Sequence, residues 1–326
     1  MSRYSNGQHR YCVILAGGDG KRLRSLTQCV SADERPKQFC PFLGGRTPLG
    51  ATRRRAARSF DPERTLFVVT RPHERYYADE LADVRPGQVL AQPDNRGTAP
   101  AILLSLLHLN QLDPEASVAF LPSDHHYSDE GGFLDGVRRA FEATEWQTQR
   151  AILLGASPTH PEVGYGWIEP GPLSETAGRS GIFRVMRFWE KPSLPLAKVL
   201  LNLGCLWNTF VMVGRVRTFL DMIRTGVPQL YDSFRRHETT SGHLDSERLY
   251  ETLAPVDFSR DILAESPAKL AVLDTGSVGW SDLGEPERVV RLISQLDSKC
   301  DWLETWRRSR SYASQHEYAG GVSTSL

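Results

Sequence analysis

The sequence predicts an α/β fold, a mostly parallel mixed β-sheet with helices on both faces and a strand-rich insertion, and three observations lead there. Short apolar, β-branched runs recur at residues 11–15, 65–69, 118–121, 151–154 and 270–273. Runs apolar throughout, rather than alternating, suit strands buried on both faces. Helix-like segments separate the early runs, an alternation that builds a parallel sheet covered on both sides. Between about residues 160 and 215 the texture changes: "HPEVGYGWIEPGP" is turn-rich, "FRVMRFWEKP" alternates with period two, and "LWNTFVMVG" is a compact apolar run. That stretch is expected to form strands beside the main sheet.

The elements follow in order. The first strand leads into "AGGDGKRLR", where Gly17, Gly18 and Gly20 precede Lys21, Arg22 and Arg24. "GTAPAILLSLLHLNQL" predicts a helix with Thr98 as N-cap and Pro100 in its first turn. Its N-terminal amides would point beyond the sheet, toward an anion. Helices are expected over 216–265, and a last one from about Glu285 to Arg308 with Trp302 and Trp306 on one face. That face suits core packing more than a dimer contact, and a homodimer is compatible with the chain. The tail from 309 to 326, rich in Ser and Gly, is expected to lack fixed structure. Residues 1–296 are thus one domain, and 297–326 the end of the last helix plus the tail.

Composition narrows the partners. The chain has 326 residues, with 39 Lys and Arg against 39 Asp and Glu, so its overall charge points to neither nucleic acid nor a membrane. Residues 1–60, however, carry twelve cations against three acids, which suits an anionic small ligand. Arg53, Arg54 and Arg55 are expected on a solvated basic face. The five cysteines form no CxxC pair and no disulfide framework, the N-terminal apolar run at 12–16 is too short for a signal-peptide core, and the longest apolar stretch, at 101–109, is far below membrane-spanning length. The expected location is cytoplasmic.

The glycine-rich turn fails two known patterns. GxGxxG starting at Gly18 would need a third glycine at Leu23, which argues against a dehydrogenase. A Walker A loop would need glycine at Leu15 and Ser or Thr at Arg22. What remains is a loop whose backbone N–H groups can face phosphate, with Arg22 as a bidentate cation. A second cation lies in "ERPKQF", where Pro36 fixes the chain ahead of Lys37.

Taken together, "LAGGDGKRL" and "RPKQF" resemble the N-terminal signature of the sugar-1-phosphate nucleotidylyltransferases, most similar by pattern to the mannose-1-phosphate guanylyltransferases. "QPDNRGTAPA", "LPSDHH", "GYGWIEPG", "FWEKP", "LWNTFV" and "VGWSDLG" follow in the same order, so the resemblance covers roughly residues 11–290. It implies a Rossmann-like sheet, a sugar-binding role for the strand-rich insertion, and the reaction of a nucleoside triphosphate with a sugar 1-phosphate that yields a nucleotide sugar and pyrophosphate. The partners it implies are those two small molecules.

The resemblance also implies residue roles. Arg22 would hold the triphosphate and the leaving pyrophosphate, and Lys37 would neutralise the α-phosphate. Leu15, Ala16, Gly17, Gly18, Gly20, Gln92, Asn95, Gly97 and Thr98 would meet the nucleotide. Gly166, Glu190, Lys191 and Asn208 would meet the sugar phosphate, while Asp124 and Asp282 would hold Mg²⁺. Oxygen ligands suit that hard cation, so His125 and His126 are expected to be loop residues. Three departures stand out: Gln92 and Gly97 replace the usual Glu and Asn, "LWNTF" replaces an Asn-Ser-Gly pattern, and Arg24 and Ser25 replace Trp-Pro, adding a cation near the phosphates. The base and the hexose are therefore open, and a catalytically silent nucleotide-sugar sensor is the alternative from another class.

Overall fold

β1 (Arg10–Leu15) sends Val13 into one buried cluster and Cys12 and Ile14 into another. Successive side chains of a strand leave opposite faces, so a strand covered on both sides must be apolar at every position. The same holds for the apolar run 66–69 of β2 (Thr65–Thr70), all six of whose residues are buried. The computed structural model describes residues 9–42, 44–173, 181–238, 244–295, 300 and 302–308. The expected tail at 309–326 lies outside them.

The remaining strands are β3 (Val89–Gln92), β4 (Ser117–Pro122), β5 (His125–Tyr127), β6 (Ala151–Ala156), β7 (Gly166–Leu173), β8 (Ile182–Glu190), β9 (Leu206–Arg215), β10 (Leu270–Asp274) and β11 (Trp280–Asp282). Among the described residues nine of these form one sheet in the order β3-β2-β1-β4-β9-β6-β10-β8-β7, with a further β9–β7 pairing. β1 pairs in parallel with β2 and β4, β2 with β3, and β6 with β10. All five apolar runs seen in the sequence are strands of this sheet. β5 and β11 make a separate antiparallel pair.

Helices cover both faces: α1 (Arg24–Ser31), α2 (Pro48–Ala56), α3 (Glu74–Tyr77), α4 (Thr98–Leu112), α5 (Glu130–Ala143), α6 (Leu194–Asn202), α7 (Val216–Gly226), α8 (Pro228–Arg236), α9 (Ser246–Thr252) and α10 (Pro286–Gln295). α4 and α7 to α9 bury Leu106, Phe219, Phe234 and Leu249 in one cluster, whereas α2 and α5 bury Leu49, Phe133 and Phe141 in the other. Among the described residues no helix is long and apolar enough to cross a membrane, and all five cysteines are unpaired.

Several expectations need correction. β9 does not lie beside the main sheet: it runs inside it, antiparallel to both β4 and β6. Its buried run LWNTFVMVG fits a central strand for the same reason as the parallel ones. The stretch 160–215 also holds α6, started by Pro195 in its first turn. The last helix is not continuous, because α10 ends at Gln295, Cys300 is not helical, and helix resumes over 302–308. There Trp306 is buried beside Leu23, Phe42 and Leu292, and Trp302 packs edge-on against Phe42, so that face is core packing.

Arg55 is not on a solvated face. It is 3% exposed, lies over the rings of Tyr127 and Phe133, and pairs with Glu130 at 3.2 Å, so both its charge and its planar group are satisfied inside. His125 and His126 are strand residues of β5 rather than loop residues, held by pairing with β11. The N-cap of α4 is Gly97, not Thr98, whose hydroxyl instead accepts the N–H of Phe258 at 2.8 Å.

Candidate active site

The cleft lies past the C-terminal ends of β1, β3 and β4, where ligands of open α/β sheets collect. It has a volume of about 540 Å³. The glycine-rich turn forms one wall, and Gln38 fixes it by donating from Nε2 to the carbonyls of Ala16 (2.9 Å) and Gly18 (2.7 Å). Gly20 has φ +62°, and a Cβ there would lie 2.8 Å from the Lys37 amide nitrogen. Only glycine tolerates both that conformation and that approach. This contact joins the two basic motifs of the sequence.

Lys37 Nζ reaches Asp124 Oδ2 at 2.5 Å. Burial alone would push the Asp124 carboxyl up, but the Lys37 ammonium, His125 and hydrogen bonding outweigh it and hold the group below its ordinary value. Asp282 is brought alongside by the β5–β11 pairing, in which it stands opposite His125 while Leu283 N–H donates to the Asp124 carbonyl at 3.1 Å. Its Oδ1 accepts from Tyr165 at 2.9 Å and from Arg288. Arg288 also pairs with Glu162 at 3.1 Å and lies over the Tyr165 ring. Burial lowers the pKa of His125, and Trp280 Nε1–H donates to its Nδ1, which leaves Nε2 as the protonated nitrogen of the neutral ring.

Leu15, Gly17, Gly18, Gly20, Arg22, Lys37, Gln92, Asn95, Gly97, Thr98, Asp124, Glu190 and Asp282 all line this cleft. Arg22 is paired with Glu285. Ala16, Gly166, Lys191 and Asn208 are not in the lining. Ala16 is buried behind the turn, its N–H donating to Val68. Gly166 backs Glu190, since a Cβ on it would lie 3.0 Å from Glu190 Oε2 and 3.2 Å from Asn208 Cβ. Asn208 accepts from the Phe210 N–H and so supports that residue at φ +57°, a partner other than the sugar hydroxyl expected for it. Lys191 has φ +49° and turns to Glu190, 2.7 Å away. Arg24 pairs at 3.8 Å with Glu34 rather than lining the cleft.

Gln38, Tyr165, Glu162, Glu285 and Arg288 are not singled out by the sequence. Except for Arg288, six residues from Asp282, they lie far along the chain from the residues they hold, and the "RPKQF" and "GYGWIEPG" motifs contain Gln38 and Tyr165 without marking their roles. Among the described residues no group of three or more His, Cys, Asp or Glu is arranged to hold a metal ion. Two carboxylates, Asp124 and Asp282, do share the cleft.

The sequence pattern of the family described as nucleotidyl transferase matches residues 11–299. The chain is 32% identical over 279 residues to the xanthan biosynthesis protein XanB of Xanthomonas campestris pv. campestris (strain B100), covering 83% of this chain and 57% of that protein. It is 29% identical over 282 residues to a mannose-1-phosphate guanylyltransferase of Escherichia coli (strain K12), covering 84% and 58%. A solved structure described as the mannose-1-phosphate geranyltransferase of Thermus thermophilus matches with a TM-score of 0.76 at 28% identity, over 90% of this chain and 80% of that one. The chain therefore spans between 57% and 58% of the length of these two curated relatives.

Proposed function

Because the chain belongs to the nucleotidyl transferase family, we propose that it transfers a nucleoside monophosphate from GTP to mannose 1-phosphate, forming GDP-mannose and releasing pyrophosphate. A phosphate oxygen of the sugar attacks the α-phosphorus, a new P–O bond forms, and the bond to the β-phosphate oxygen breaks. The second pKa of a phosphate monoester is about 6, so the nucleophile is already largely dianionic at neutral pH and needs no general base. The barrier is repulsion: a pair of like charges about 4 Å apart costs on the order of 4 kcal/mol at an effective dielectric near 20. Fixed cations aimed at the developing charge lower it.

The observation that carries this reading is the contact of Gly20 with Lys37, which sets the glycine-rich turn and a half-buried cation on one cleft. In the proposed complex Lys37 leaves Asp124 for the α-phosphate, and Arg22 leaves Glu285 for the β- and γ-phosphates. Glu190, backed by Gly166, accepts from the sugar hydroxyls. Asp124 and Asp282 would hold Mg²⁺, which needs only one or two carboxylates beside phosphate oxygens and water. The donor set fits, being hard oxygen throughout, with His125 Nδ1 already engaged by Trp280. When bound, the ion would offset phosphate charge.

Pyrophosphate release, measured with Mg²⁺, four nucleoside triphosphates and several hexose 1-phosphates, tests this directly. Release with GTP and mannose 1-phosphate supports the full assignment, and release with another pair replaces the base or the sugar. No release with any pair would favour a nucleotide-sugar sensor.

A further inference from the structure

Phe210 has φ +57°, in the left-handed region that a bulky side chain adopts only at a cost in free energy. It stands in "LWNTF" at the place where the Asn-Ser-Gly pattern has glycine, for which that backbone carries no such cost. The chain therefore keeps a phenyl ring where the local backbone favours none. Two interactions hold it: the Asn208 side-chain oxygen accepts the Phe210 N–H at 3.1 Å, and the ring stands perpendicular to that of Phe258, with centroids 6.5 Å apart. A strained residue that its surroundings hold in place beside a ligand cleft points to a function.

Phe258 is fully buried, whereas Phe210 is only partly buried and lines the cleft, so its side chain forms the boundary between core and cleft. Its neighbours fix which part of the cleft this is. On one side the Phe258 N–H donates to the Thr98 hydroxyl oxygen at 2.8 Å, which ties the two rings to the wall expected to meet the nucleotide. On the other, Asn208 and Glu190 both adjoin Gly166, where a Cβ would lie 3.2 Å from Asn208 Cβ and 3.0 Å from Glu190 Oε2. Phe210 therefore stands between the nucleotide wall and the carboxylate proposed for the sugar hydroxyls.

We infer that Phe210 is a specificity-determining residue: its ring fills the space beside C2 of the sugar, so the site takes hexose 1-phosphates with a free 2-hydroxyl and rejects 2-acetamido-2-deoxyhexose 1-phosphates. This rests on the reading that the cleft takes a sugar 1-phosphate at Glu190. C1 carries the phosphate that reacts at the nucleotide, and the outer hydroxyls meet Glu190, so C2, next to C1, lies against the residue between the two. An acetamido group there has to displace the ring, and its amide N–H and C=O find no partner on a phenyl face. With glycine at this position both obstacles vanish.

The test measures Kd by titration calorimetry, with and without the α,β-methylene analogue of GTP, and kcat and KM from pyrophosphate release. Mannose 1-phosphate and glucose 1-phosphate are each compared with their 2-acetamido-2-deoxy counterparts, in the wild type, Phe210→Gly and Phe210→Asn. The wild type is expected to favour the plain sugar phosphate of the better pair by at least about tenfold in kcat/KM. Phe210→Gly should lower that preference by about fivefold or more, mostly through the KM for the sugar, with the nucleotide KM little changed. A merely structural ring would lower every activity together and leave the ratio alone. Asparagine also tolerates the left-handed region and is shorter, so Phe210→Asn gives the same reading should Phe210→Gly not fold.

A wild type that handles both members of each pair alike, or truncated variants that keep the wild-type ratio, overturns the inference. If sugar binding discriminates in a way that depends on Phe210 but no triphosphate releases pyrophosphate, the proposed reaction fails and the role of Phe210 stands. If no sugar phosphate binds in either condition, both fail.

Discussion

Lys37 and Asp124 form an ion pair at 2.5 Å across the cleft, with less than a quarter of either side chain exposed. The pair fixes the cation of the second basic motif at the cleft. It also makes each partner's removal informative.

Lys37→Ala is expected to lower kcat by about 10²- to 10³-fold, the typical cost of losing one group that stabilises transition-state charge. Nucleotide affinity should fall only modestly, because the glycine turn and Arg22 remain. Turnover near that of the wild type in a pyrophosphate-release assay would remove Lys37 from the mechanism.

Arg288 lies between Glu162 and Asp282 and competes with any cation for the Asp282 carboxylate. In Arg288→Met that competition ends, so the Mg²⁺ concentration giving half-maximal activity should drop by about five- to tenfold, an effect of roughly 1 kcal/mol. Glu162 loses its cation in the same variant, and the melting temperature should fall. An unchanged or higher Mg²⁺ requirement would show that Asp282 does not meet the ion.

Glu162 also sets an acid limit. Burial would raise its carboxyl, but the Gly164 amide, Arg288 and His160 outweigh burial and hold it below its ordinary value of 4.5. A depressed folded value means that the stabilisation is complete above 4.5 and is lost as pH falls toward and through the lower folded value. Thermal unfolding followed from about pH 7 to about pH 3 should show a shallower acid-side decline in Glu162→Gln than in the wild type. Parallel declines would mean that the Glu162 environment contributes nothing to acid lability.

Gly97 has φ +89°, and a Cβ there would lie 2.4 Å from the Val256 carbonyl oxygen. Gly97→Ala should cost about 2–4 kcal/mol, combining backbone strain with a forced separation of the 96–99 and 256–258 segments. A Cβ on Gly18 meets nothing within 4 Å, so Gly18→Ala should melt normally and raise only the KM for nucleotide. Denaturant unfolding of the two variants side by side checks the contrast, and equal stabilities would refute it.

Much of this architecture is legible in the sequence because it is local. A strand buried on both faces must be apolar at each position, so β1, β2, β4, β6 and β10 stand out as unbroken runs. Gly20, Arg22 and Lys37 can be picked out in the same way, since a phosphate-facing turn needs small residues and fixed cations close together in sequence. β9 is also visible as a run, but composition does not encode whether a strand lies beside a sheet or within it. Arg55 is misread from sequence because a charge run looks solvated until a carboxylate and two aromatic rings are found around it.

The order of residues along the chain is enough to dictate the α/β class, the places where the backbone turns toward a ligand, and the residue types available there. Folding alone settles which carboxylate distant cations meet, as Lys37 meets Asp124 and Arg288 meets Glu162, and that Tyr250 holds the Gln92 side-chain oxygen. The difference is one of range. Backbone preference and burial periodicity act over a few neighbouring residues, whereas a hydrogen bond or ion pair of about 3 Å joins groups that only the completed fold brings together.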